Sequence, residues 1–114
     1  MSNRVPGNHL RTHRKKTGLS QRQLGQLLGH ADKGFVSRHE RARALPSLKA
    51  AFAYEVVFRT PASSIFPALR ENVAGDIEAR LVEMEDALGR RSAKERGANV
   101  VSQQLIWLME RRCP

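Results

Sequence analysis

Lys33, Arg38, Arg41 and Arg43 fall within eleven residues of a 114-residue chain, with Ser37 among them. Ammonium and guanidinium groups at that density attract anions. A guanidinium also offers paired N–H donors to a pair of acceptor atoms such as two phosphate oxygens or a guanine edge. The charge of the whole chain points the same way. Residues 1–60 hold 12 Lys and Arg against 3 Asp and Glu, a net +9, whereas residues 61–114 hold 8 of each and are neutral. With a pI near 11.0, nucleic acid or an anionic membrane surface is the natural partner.

Other chemistries find little support. His9 and His13 are spaced i, i+4, as two metal ligands on a helix would be, but no third ligand is placed beside them, and no metal site is expected. Ser63 and Ser64 read as polar helix residues without a Ser-His-Asp arrangement. Glu83, Glu85 and Asp86 read as a solvated face. No enzyme and no cofactor are expected. Cys113 has no internal partner and reads as an inert tail thiol, with a disulfide-linked dimer or redox sensor as the alternative. No apolar run approaches the roughly 20 residues of a membrane span, and Met1–Gly7 lacks the apolar stretch of a signal peptide. The cytoplasm is the expected location.

The elements that would position the cations are helices, because apolar spacings of three and four dominate and period-two alternation is absent. Asn8 caps a first helix to about Lys16, which Thr17-Gly18 stops. Ser20 and Gln23 form a capping-box pattern opening a second helix, with Leu24, Leu27 and Leu28 as its apolar face and Gly29 at its end. Asp32 caps a third, from about Lys33 to Arg41. Pro46-Ser47 restarts the chain into a fourth, with Leu48, Ala51, Phe52, Val56 and Phe58 inward. Thr60-Pro61 opens a short fifth through Ile65 and Phe66, which Pro67 breaks. From about Arg70, Ala74, Ile77, Leu81, Met84 and Leu88 keep a 3-4-3-4 rhythm that Gly89 ends. After Ser92, Ala98, Val101, Leu105 and Leu108 repeat it, giving an αα-hairpin with heptad-like ridges. Two short helices joined by a glycine-started turn, followed by a basic loop, form the layout of a helix-turn-helix.

In ordered detail the segment resembles the Xre family, the Cro/lambda-repressor-type helix-turn-helix regulators of bacteria and phages. The residues that carry the likeness are Leu10-Arg11-x-x-Arg14, Gly18-Leu19-Ser20-Gln21-x-x-Leu24, Leu28-Gly29, Val36-Ser37-Arg38-x-Glu40-Arg41, Pro46-Ser47-Leu48 and Ile65-Phe66. The resemblance spans residues 8–66, just over half the chain. It implies five helices, with the third as reader in the major groove of double-stranded DNA. It also implies roles. Gln21 would bind a phosphate from the start of helix two. Lys33, Gly34, Ser37 and Arg38 would face the groove, Arg38 gripping guanine and Gly34 letting the backbone approach. Arg41 and Arg43 would ride the phosphate backbone, and Arg14 and Glu40 would form a partly buried salt bridge. Phe35 has two readings, packing under the turn or touching a thymine methyl. The sequence departs from the family pattern in three places. Gly25 replaces Ala at the helix crossing, the turn before Val36 is one residue longer, and His39 replaces an apolar residue.

The fold expected is therefore all-α: a five-helix Cro/lambda-repressor-like DNA-binding domain over residues 8–67, then a C-terminal hairpin over residues 70–112. The hairpin either enlarges one core or pairs with a second subunit. Dimerisation is the favoured reading, through Ile77, Leu81, Met84, Leu88, Val101, Leu105 and Leu108. The function expected is a homodimeric repressor reading a pseudo-palindromic operator. The alternatives are an antitoxin that binds its own operator and covers a toxin with its C-terminal helices, and a protein-interaction module without DNA binding.

Overall fold

The structure, a computed structural model, describes residues 5–91 and 98–112, without the side chains of residues 98 and 99. Met1–Arg4, Ser92, the Ala98 side chain and Cys113 lie outside the described residues. The described residues form seven helices and no strand: α1 Leu10–Thr17, α2 Gln21–Leu27, α3 Gly34–Glu40, α4 Leu48–Phe58, α5 Ala62–Ile65, α6 Pro67–Arg91 and α7 Ala98–Arg112. The chain divides into two compact units, residues 1–72 and 73–114. None of its described helices is long and apolar enough to cross a membrane.

In the first unit, local chemistry sets the helix ends. Asn8 Oδ1 accepts the Leu10 N–H at 2.9 Å, and Gly18 closes α1 at φ +79°. Ser20 Oγ accepts the Gln23 N–H while Gln23 Oε1 accepts the Ser20 N–H, so both halves of the capping box are formed. Ser47 Oγ accepts from Ala50 N–H at the start of α4. At α5 the cap differs from expectation. The Thr60 hydroxyl donates back to the Phe58 carbonyl, and Glu55 Oε1 accepts the Ala62 N–H at 2.8 Å. The core is Leu10, Leu24, Val36, Ala50, Tyr54, Ile65 and Phe66, with Leu28, Phe35, Val57, Phe58 and Leu69 packed against it. Burial of a Leu, Val or Ile here contributes roughly 2 kcal/mol apiece. The helix packing that results sets α3 against both α1 and α2.

Several sequence expectations need correction. Leu27 is exposed, and Leu24 with Gly25 forms the buried face of α2. On α4, Leu48, Phe52 and Val56 point outward, while Ala50 and Tyr54 are buried. That helix is apolar on nearly every side, so periodicity could not select its inner face. The fifth helix does end ahead of Pro67, at Ile65, but Pro67 also opens α6, because a proline lacks only an N–H that the first turn leaves unpaired. Gly89 lies inside α6, which runs on to Arg91.

The second unit is an αα-hairpin. Leu88, Val101 and Leu108 are buried together, with Leu81 and Leu105 packed against them. Arg111 Nη2 donates to Glu78 Oε1 at 3.0 Å, and Arg112 pairs with Glu85. A late residue of α7 bonded to an early residue of α6 makes the pair antiparallel. Five of the seven residues expected at a dimer interface thus fill the hairpin's own core. Only Ile77 and Met84 of that set are exposed. The remaining outward apolar residues are Val73, Val82, Val100, Ile106, Trp107 and Met109.

Candidate nucleic-acid interface

Helix α3 has an inner and an outer side. Val36 and His39 are buried, and Phe35 is packed on the core. Lys33, Arg38 and Arg41 are exposed, and Gly34 and Ser37 are part-exposed. The turn after α3 presents Arg43 to solvent as well. It closes with Ala42 at φ +56°, where the Arg43 N–H bonds to the Arg38 carbonyl and the Ala42 N–H to the His39 carbonyl. This is a Schellman ending made with alanine in the place glycine favours.

Two polar clusters hold the helix. The first joins α1, α2 and α3. Arg14 Nε donates to Glu40 Oε2 at 2.5 Å and Arg14 Nη2 to Glu40 Oε1 at 3.2 Å, while Arg14 Nη1 donates to the Leu19 carbonyl at 2.9 Å. The Glu40 side chain is 2% exposed. Gln21 Nε2 also donates to Glu40 Oε1, at 3.0 Å. The Gln21 amide, expected to meet a phosphate, therefore spends one N–H on this carboxylate. Beside the cluster lies a concavity of about 390 Å³ lined by Arg11, Arg14, Ser20, Gln21, Glu40 and Arg41.

The second cluster accounts for His39. Its Nδ1 lies 2.7 Å from the Tyr54 hydroxyl, and its carbonyl accepts from Asn8 Nδ2 at 2.8 Å. Its ring meets Phe35 edge-on at 4.7 Å and Tyr54 at 5.7 Å. Burial pushes the His39 imidazole below its ordinary value of 6.5, with Arg38 and His30 adding to the effect. Burial, reinforced by Glu40, raises the Tyr54 phenol. With imidazole neutral and phenol protonated, we assign the O–H as donor to Nδ1. The odd histidine is the partner of a buried tyrosine.

Phe35 belongs with the packing residues: His30 stacks on its ring at 3.8 Å, and its other contacts are to the core. It is removed from the groove-facing set. Gly34 also has a local reason to be glycine. A Cβ there would lie 2.6 Å from Arg38 Nη1. Arg38 itself is paired, its Nη2 donating to Asp32 Oδ2 at 2.6 Å, and Asp32 Oδ1 accepts the Gly34 N–H at 2.9 Å. Sequence reasoning missed this pair because Asp32 and Arg38 are six apart, which is not a helical neighbour spacing. It missed Asn8–His39 and Gln21–Glu40 because those partners lie 31 and 19 residues apart. His39–Tyr54 left a signal, one polar ring in each of two otherwise apolar faces.

His9 is exposed and His13 lies against Phe58, with ring centres 5.9 Å apart. Among the described residues no group of three His, Cys, Asp or Glu is placed to hold a metal. Comparison of the chain with family models, with curated proteins and with solved structures finds no match.

Proposed function

We propose that this chain is a sequence-specific, double-stranded-DNA-binding transcriptional regulator, a dimeric repressor that reads a pseudo-palindromic operator with α3 in the major groove. In this reading α1–α5 form the Cro/lambda-repressor-like domain, and the protein works in the cytoplasm without a cofactor. The observation that carries it is the two-sidedness of α3. Val36 and His39 fix one side in the core, while Lys33, Arg38 and Arg41 lie open on the other with Ser37 part-exposed among them, on the half of the chain with all the net charge. Arg38 and Lys33 supply donors for base edges, and Arg41 and Arg43 supply cations for phosphates.

The hairpin is the dimerisation element in this reading, through a different surface from the one expected. A two-helix unit with three buried apolar side chains leaves eight large ones exposed. A second hairpin laid against that surface would complete a four-helix bundle. Two tethered domains would then read half-sites about 34 Å apart or a multiple of it. The same apolar surface also favours a second reading, an antitoxin whose hairpin is covered by a toxin. Isolation of the chain from its native cell with a second small protein in equal amount would favour that reading.

Selection of bound fragments from random duplex DNA tests the proposal. A recovered motif with two-fold symmetry is expected, and recovery of no motif would contradict it.

A further inference from the structure

Asp32 lies at the open start of α3, and both of its oxygens are used. Oδ1 accepts the Gly34 N–H at 2.9 Å and Oδ2 accepts from Arg38 Nη2 at 2.6 Å. The Arg38 guanidinium runs back over Gly34, where a Cβ would lie 2.6 Å from Nη1 and 3.6 Å from Cζ. The three residues therefore work as one unit: an ionised carboxylate, a residue without a side chain, and a guanidinium laid across it. The Arg38 N–H donation, followed by that of Gly34, holds the Asp32 carboxyl below the usual carboxylate range, so it meets the guanidinium as a carboxylate at neutral pH. Both side chains are about half exposed, at 50% for Arg38 and 56% for Asp32. Thus the pair is at the surface, on the outer side of the helix.

A free arginine samples many rotamers and loses them on binding. It is also a full positive charge, drawn to any phosphate in reach. Anchoring through one N–H changes both properties. The guanidinium is preorganised, its remaining N–H groups stay available, and its charge is offset by the carboxylate. Such a group is weakened toward phosphate and improved toward the O6/N7 edge of guanine, which needs two aligned donors and no net charge.

We infer that Asp32 and Gly34 are positioning residues for Arg38, which together set a guanine preference at one operator position rather than adding to general DNA affinity. The inference rests on the DNA-reading function proposed above. Asp32 touches no base in this scheme and acts through Arg38. Gly34 supplies the space the guanidinium occupies.

The experiment uses the full chain, a duplex carrying its selected motif, duplexes with each guanine pair of that motif replaced in turn, and a random-sequence duplex. Binding is followed by fluorescence anisotropy. Wild type is expected to lose roughly tenfold or more in affinity at one guanine, and Arg38→Ala to lose that discrimination. Asp32→Asn and Gly34→Ala are each expected to reduce it to about twofold, and in Asp32→Asn binding to the random duplex holds or rises. Gly34→Ala retains the Asp32 cap and meets only the end of a flexible side chain, so the fold survives it. A purely structural cap would lower the melting temperature in Asp32→Asn and leave the discrimination ratio alone. Full discrimination in both variants, with Arg38→Ala abolishing it, would overturn the inference and leave the DNA-reading function standing. Indifference of the guanine preference to Arg38→Ala would also overturn it. Failure of wild type to bind any duplex would remove the function and the inference together.

Discussion

The two units of this chain solve the problem of stability differently. The first buries seven apolar side chains from five helices and the residue that ends the fifth, and ties three of those helices together through Arg14, Glu40 and Gln21. The second buries three, and its described ion pairs are Arg111–Glu78 and Arg112–Glu85. All the net charge belongs to residues 1–60, and the eight exposed large apolar side chains of the second unit are split four and four between its two helices. The contrast teaches that the first unit is held by a larger core and a buried ion pair and offers cations outward, while the second rests on a small core and offers apolar surface outward, the surface that the proposed dimer would cover.

The sharpest way to break that contrast is to remove one ionic partner from each unit. Glu40→Ala strands Arg14, which is 11% exposed, and should destabilise the protein by about 3 kcal/mol. Arg111→Ala removes a solvated pair and should change stability by less than about 1 kcal/mol. Urea denaturation measures both, and similar losses at the two sites would refute the distinction.

Next in size is the association of the hairpin. Ile106 and Trp107 are about half exposed, at 54% and 48%, so replacing both with alanine should not unfold the hairpin. It should weaken the proposed dimer by about 30-fold or more, as loss of a central aromatic anchor does. Sedimentation velocity across a concentration series reads this directly. A wild type that stays monomeric at high concentration would contradict dimerisation through this surface.

Acid should separate the units as well. All four histidines lie in the first unit. Because His39 resists protonation in the folded state, the unfolded chain binds more protons once the pH falls through 6.5. Stability is therefore expected to be flat in this contribution above that value and to fall below it. His39→Gln should flatten the slope between pH 7 and 5 relative to wild type, as thermal melts across that range would show. An unchanged slope would remove His39 as its source.

The smallest effects come from two helical glycines, one in each unit. A Cβ on Gly25 would meet the His30 carbonyl at 3.5 Å and Val36 Cγ2 at 3.8 Å, ordinary contacts, and one on Gly75 would meet nothing within 4 Å. Alanine at either site should stabilise by up to about 1 kcal/mol through helix propensity. Destabilisation at Gly25 alone would show that the helix crossing there is tighter than its geometry indicates.

Much of this was legible in the chain, for identifiable reasons. Caps are local, so Ser20-Gln23 and Ser47 marked their helix starts. The ridge of Leu81, Leu88, Val101, Leu105 and Leu108 was visible as periodicity, but periodicity does not say which protein covers a ridge, and here the hairpin covers its own. The face of α4 was misread because an apolar residue stands on every side. Pro67 was misread because proline both ends and begins helices. At the candidate interface the cations were plain in the sequence. Their partners were not: Arg38 folds back along its own helix to Asp32, six residues away, and Tyr54 reaches His39 from the next helix, pairings that no spacing rule encodes.

The central claim is that the outer side of α3 and the turn after it hold duplex DNA. It is tested most directly by titrating the selected duplex with wild type and with the Arg38→Ala, Arg43→Ala double variant between 50 and 200 mM salt, with circular dichroism confirming equal folding. A dimer meeting about six phosphates should lose on the order of 10³ in affinity across that range, and the double variant should bind at least about 100-fold more weakly at the low-salt end. Equal affinity of the two proteins, or a response flat in salt, would contradict the claim.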